Sequence, residues 1–142
     1  MAQSIYDRYI ENEVLGADRI KLVMILYRAA IESIAGARLN VRNGEIRERS
    51  RRIVKASGII HELLRSLNHA EGGDVSRNLA ELYAYIQQRL MDANSAQTEP
   101  PLAEVEGLLR TLLEAWTATA AAAAALPTDS EMQLAGAAPV SV

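Results

Sequence analysis

The stretch IKLVMILYRAAI, residues 20–31, decides how this chain folds. Between its ends only Lys21 and Arg28 are charged, and on a helix turning about 100° per residue they share one narrow strip. Ile20, Val23, Tyr27, Ala30 and the following Ile34 mark one apolar face, while Leu22, Ile25 and Ala29 lie roughly opposite. Such a helix requires cover on two sides. The run is too short and too interrupted to cross a bilayer, which takes roughly twenty apolar residues.

The sequence around it reads as helix throughout. Before it, residues 3–16 (QSIYDRYIENEVLG) space Ile5, Tyr6, Tyr9, Ile10 and Val14 by three or four, separated by acids. A piece this short is marginal as a free helix and needs a surface to lie on. Gly16 predicts a hinge after it, with Asp18 capping the next helix. That helix runs from about Asp18 to Leu39 and ends in the Asn43-Gly44 turn.

A second helix, from about Glu45 to His69, sets Ile53, Ala56, Ile60, Leu63 and Leu67 at strict three–four alternation, the seam of a bundle. Gly72-Gly73 then breaks the pattern and Asp74 offers a cap for a third helix, about Val75 to Ala93. Its expected inward set is Val75, Leu79, Leu82, Ile86, Leu90 and Ala93, with Tyr83 and Tyr85 at the wet edges. After Pro100-Pro101 the fourth helix aligns Leu102, Val105, Leu109, Leu112 and Trp116, and the alanines through Ala125 prolong it as far as Pro127. Tyr27 and Trp116 read as core residues.

The fold class is therefore all-α: an antiparallel four-helix bundle, residues 18–126, between an amphipathic N-terminal segment, 1–17, and a disordered tail, 127–142. A chain of 142 residues, 49% hydrophobic and with net charge −3, fits one such domain and disfavours both wholesale disorder and a general polyanion-binding surface. With no Cys, thiol chemistry is excluded and a reducing compartment fits. No Sec-type leader is visible at the N-terminus, which predicts a protein that stays in the cytoplasm.

Chemistry finds little footing. A di-iron bundle needs Glu-x-x-His on two helices, and His61 and His69 follow Gly58 and Ser66 at that spacing. No Gly-x-Ser-x-Gly and no phosphate loop occurs. The expectation is a protein that is not an enzyme and takes no metal or cofactor. Arg47, Arg49, Arg51, Arg52 and Lys55 crowd the second helix, but Glu45 and Glu48 stand four residues before Arg49 and Arg52, which predicts pairing in solvent. Without interleaved aromatics, a nucleic-acid partner is not expected. Gly36, Gly58 and Gly107 inside helices fit either close helix packing or a shallow groove for another backbone.

These segments resemble the FliS family of flagellar export chaperones. The matching runs are Tyr9-x-x-Asn12-x-Val14-x-x-Ala17, Leu22-Val-Met-x-Leu-Tyr27, KASGIIHELLRSLN (55–68), NLAELYAYIQQRLMDAN (78–94) and LAEVEGLLRTLLEAW (102–116). Order and spacing hold from about Tyr6 to Trp116. Arg28 departs from the acid the family often has there, and the Ala-rich tail is an addition.

The resemblance implies a cytosolic bundle that binds the C-terminal segment of new flagellin, prevents premature polymerisation and delivers the subunit to the export apparatus and its gate without ATP. It also implies a leader folded over the empty groove, a role that carries to Tyr9 and its neighbour Tyr6. The expected partner site is thus Tyr6, Tyr9, Ile10 and Val14 covering a groove bordered by Leu22, Ile25, Leu26, Ile59, Leu64, Tyr83, Tyr85, Leu108 and Leu113. The alternative is a structural or regulatory bundle whose surplus apolar face mediates homodimerisation.

Overall fold

The computed structural model describes the backbone over residues 5–67 and 69–125, and side chains over 18–67 and 72–122. Four helices follow in order: α1 (Ile5–Arg42), α2 (Ile46–Arg65), α3 (His69–Ala96) and α4 (Pro100–Ala125). They pack as a closed ring in chain order, each helix against its two sequence neighbours and α1 against α4. Short connections make the neighbours antiparallel.

The inner seam is the expected one on three of the helices. Val23, Tyr27, Ala30, Ile31, Ile34 and Ala37 of α1 are buried against Ile53, Ala56, Ile60 and Leu63 of α2 and Leu102, Val105 and Leu109 of α4. The apolar area these residues remove from water is the main force holding the ring.

Polar bridges then fix the register of each pair. Ser33 Oγ donates to the Arg52 carbonyl at 3.1 Å between α1 and α2. Gln87 Nε2 donates to the Ser57 carbonyl at 2.9 Å between α2 and α3. Arg89 meets Glu104 at 2.7 Å between α3 and α4. Arg38 and Arg42 of α1 close on Glu99, just before α4, at 2.8 and 2.6 Å.

Three boundaries differ from expectation. The backbone stays helical through Gly16, so there is no hinge there: the cost of one glycine, about 1 kcal/mol relative to alanine, is spread over a 38-residue helix. α2 closes at Arg65 instead of reaching His69, with Ser66 Oγ bonded back to the Leu63 carbonyl. The expected break at Gly73 is present (φ 53, ψ −123), inside a span that begins at His69. The tail lies outside the described residues.

The α1–α2 register has a further consequence. Arg52 beside Ser33 and Glu45 beside Asn40 place Arg65 level with about residue 20 of α1. Residues 5–17 therefore continue α1 past the end of α2.

On α3 the buried face is turned from the expected one. Val75 is 66% exposed, Ser76 is buried and Leu79 and Leu82 are half-buried, while Tyr83 is buried to 1%. The true seam is Ser76, Leu79, Tyr83, Ile86, Leu90 and Ala93, and Leu82 flanks it. The reason is a partner the sequence spacing does not display: the Tyr83 hydroxyl meets that of Tyr27 across the bundle, and Trp116 Nε1 donates to the same Tyr27 oxygen at 3.1 Å. A satisfied hydroxyl removes the usual cost of burying tyrosine.

Candidate functional site

At the end of the bundle where α2 stops short, the seam has no next turn to close it. Ile20 and Val23 of α1, Leu67 after α2, Val75 and Leu79 of α3 and Trp116 of α4 surround an apolar cavity of about 290 Å³, with the Tyr83 ring also in its wall. A second cavity of about 320 Å³ continues from it between α3 and α4, lined by Leu112, Ala115 and Thr119 as well as Val75, Leu79 and Trp116. Three shared residues make the two one trough.

Local sequence explains why it is open. Gly73 adopts a left-handed φ of 53°, which L-residues rarely take, and α3 restarts there at an angle. Asp74 then pairs with Arg77 at the restart, and Val75 is left standing at the rim. Behind the Tyr83 wall, the Tyr83 hydroxyl meets that of Tyr27. Burial pushes both phenols above their ordinary value, so they stay neutral at any physiological pH.

The second apolar surface is the surplus face of α1. Leu22 is 50% exposed and Ile25 57%. Pointing about 100° or more away from Val23, neither reaches the core. The second apolar face of residues 20–31 is present, and among the described residues no other helix covers it.

The remaining expected site residues divide into four groups. Leu26, Ile59, Leu64, Leu108 and Leu113 are half-buried and packed against the core, the ordinary condition of seam flanks. Tyr85 is exposed, and its hydroxyl donates to the Glu104 carboxylate at 2.8 Å; that hydrogen bond raises its pKa. Tyr83 is corrected from wet edge to buried seam and reaches the trough only as part of its wall.

The side chains of Tyr6, Tyr9, Ile10 and Val14 lie outside the described residues. Leu67, Val75, Leu79 and Trp116, expected as seam, line the trough, and of these Leu67, Leu79 and Trp116 also pack against the core. The signal available for them was position: they are the seam residues nearest the Gly72-Gly73 break, where a bundle layer loses its fourth wall.

Among the described residues no group of three or more metal-ligating side chains occurs, and no helix is long and apolar enough to cross a membrane. What the fold and this surface define is an antiparallel helical bundle with an open apolar end and an uncovered helix face. The profile of the family described as "Flagellar protein FliS" matches residues 1–123.

The chain is 34% identical over 108 residues to the flagellar secretion chaperone FliS of Salmonella typhimurium, covering 75% of this chain and 80% of that one. It is 35% identical over 107 residues to the flagellar secretion chaperone FliSB of Pseudomonas aeruginosa, covering 75% and 85%. With the FliS of Bacillus subtilis it shares 31% over 114 residues, covering 80% and 84%. The chain belongs to the FliS family of flagellar secretion chaperones, a family of chaperones and not of enzymes.

Proposed function

We propose that this protein binds the C-terminal segment of flagellin in the cytoplasm, keeps it from polymerising early and assists its delivery to the flagellar export apparatus. The observation that carries the reading is apolar surface the bundle leaves uncovered: the trough under Val75 and Trp116, and the α1 face at Leu22 and Ile25. An amphipathic segment that is unfolded in the monomer would lay its apolar residues into such a trough as a helix or an extended piece. No nucleotide is required, because binding energy alone holds the segment and competes with filament contacts.

In this reading residues 1–17 form a segment distinct in role from the bundle of residues 18–126, and their Tyr6, Tyr9, Ile10 and Val14 shield the apolar surface when no client is bound. Continuation of α1 through Gly16 supports an arrangement in which the surface is accessible.

The experiment is calorimetric titration of a flagellin C-terminal peptide into the protein, with Val75→Glu and Ile25→Glu as variants. Both positions are more than half exposed, so helicity stays intact. A charge there removes about 2 kcal/mol or more of apolar contact, about thirtyfold in affinity. Wild-type affinity in both variants would overturn the assignment.

A further inference from the structure

The basic stretch of α2 does not pair as its spacing predicts. Residues 45–55 hold five cations and two carboxylates in a chain of net charge −3. Glu45 accepts from Asn40 Nδ2 at 3.2 Å instead of meeting Arg49. Glu48 takes Arg51 at 2.6 Å, three residues on, instead of Arg52. Among the described residues, Arg47, Arg49, Arg52 and Lys55 are left without an ion pair. Arg47 and Arg49 also stand in the opening turns of α2, at the positive end of the helix dipole, where cations are unfavourable.

Arg49 is the unusual member. It is 95% buried, being only 5% exposed, and among the described residues its Nε has no hydrogen-bond partner. Among the described residues its side chain makes one hydrogen bond, a long one, from Nη2 to Asn94 Oδ1 at 3.4 Å. A buried guanidinium without a carboxylate is costly, and proteins rarely keep one without a use.

This side chain lines an open cleft of about 730 Å³ between α2 and the end of α3, with Arg47, Arg51 and Asn94 around it. Ile46 (56% exposed) and Val54 (63% exposed) border the same cleft. It lies about 27 Å from Leu67 and the trough, at the other end of α2.

We propose that this cleft is a second docking site, for an acidic amphipathic segment of a protein partner. A carboxylate of that segment pairs with the guanidinium groups of Arg47 and Arg49, and its apolar residues rest on Ile46 and Val54. Charge complementarity selects the occupant: a bundle that is acidic overall presents here an unneutralised cationic groove edged by aliphatic side chains. No aromatic ring lines the cleft, so nothing in it stacks nucleobases. The site is independent of the trough and adds a second partner to the reading above.

The test uses the full chain and a fluorescein-labelled, end-capped peptide of Glu and Leu at helical spacing, followed by anisotropy. Its Glu→Gln counterpart and a single-stranded RNA serve as competing probes. The acidic peptide binds wild type and weakens with salt; the Gln peptide binds about tenfold more weakly or worse.

Arg47→Ser, an exposed change, and Arg49→Met each lose about tenfold, whereas Arg110→Ser, an exposed charge of α4 outside the cleft, keeps wild-type affinity. Arg49→Met also melts at or above the wild-type temperature, because it removes an unpaired buried charge. Equal binding of the two peptides, preferential binding of RNA, full binding by the arginine variants, or a clear drop in the Arg49→Met melting temperature would each overturn the proposal.

Discussion

Tyr27→Phe tests the centre of the bundle most sharply. The Tyr27 hydroxyl, fully buried, is the hub of the cluster: it shares a hydrogen bond with the Tyr83 hydroxyl and accepts one from Trp116 Nε1 at 3.1 Å. Removing that oxygen creates no cavity to speak of but leaves the Tyr83 hydroxyl orphaned at 1% exposure. The cost is about 2 to 4 kcal/mol: about 1 for the Trp116 bond, whose ring is half-buried and can turn to water, and the rest for the stranded hydroxyl. Tyr83→Phe breaks only one of the two bonds, since Tyr27 keeps the indole donor, and costs about 1 kcal/mol.

The double variant strands no phenol and costs about 1 to 2 kcal/mol less than the sum of the singles. Urea unfolding followed by far-ultraviolet circular dichroism measures all three, and at about 3 to 5 °C per kcal/mol thermal melts rank them as well. Single variants of equal cost that simply add in the double would refute the hub.

Other predictions concern the surface. Arg42 and Arg38 hold the Glu99 carboxyl down to about 2, so the contribution of this pairing is present above the ordinary carboxylate value of 4.5 and is lost as pH falls from there toward 2. Acid titration of Glu99→Gln should show a shallower loss over that window. A Cβ at Gly58 or Gly107 would meet nothing within 4 Å. Alanine at each should therefore raise stability by about 0.5 to 1 kcal/mol in denaturant titrations, and weaker flagellin binding by either variant would show a client backbone lying over it. Sedimentation of the isolated chain should give a monomer; a dimer at all concentrations that ignores flagellin would favour homodimerisation as the use of the α1 face.

Much of this architecture was legible in the sequence because it depends on local period. The seams of α2 and α4 follow from three–four spacing of aliphatic residues, and the surplus face of α1 follows from Leu22 and Ile25 standing where no core direction reaches. Misreadings began where a side chain's environment is set by a distant residue. Tyr83 looked like a wet edge because its hydroxyl needs a partner, and that partner, Tyr27, is 56 positions away. The Arg cluster looked neutralised because i, i+4 spacing permits pairing, yet Glu45 and Glu48 found other partners. The trough was invisible for a similar reason: Leu79 and Trp116 have core periodicity, and only the early end of α2 at Arg65 leaves them facing an opening.

The most direct measurement is the binding of whole flagellin against flagellin lacking its last segment, titrated into this protein and read by emission of Trp116, its single tryptophan and a wall of the trough. Full-length flagellin should shift the emission and bind in a saturable manner, and the truncated form should do neither. Equal binding of the two forms would contradict the account.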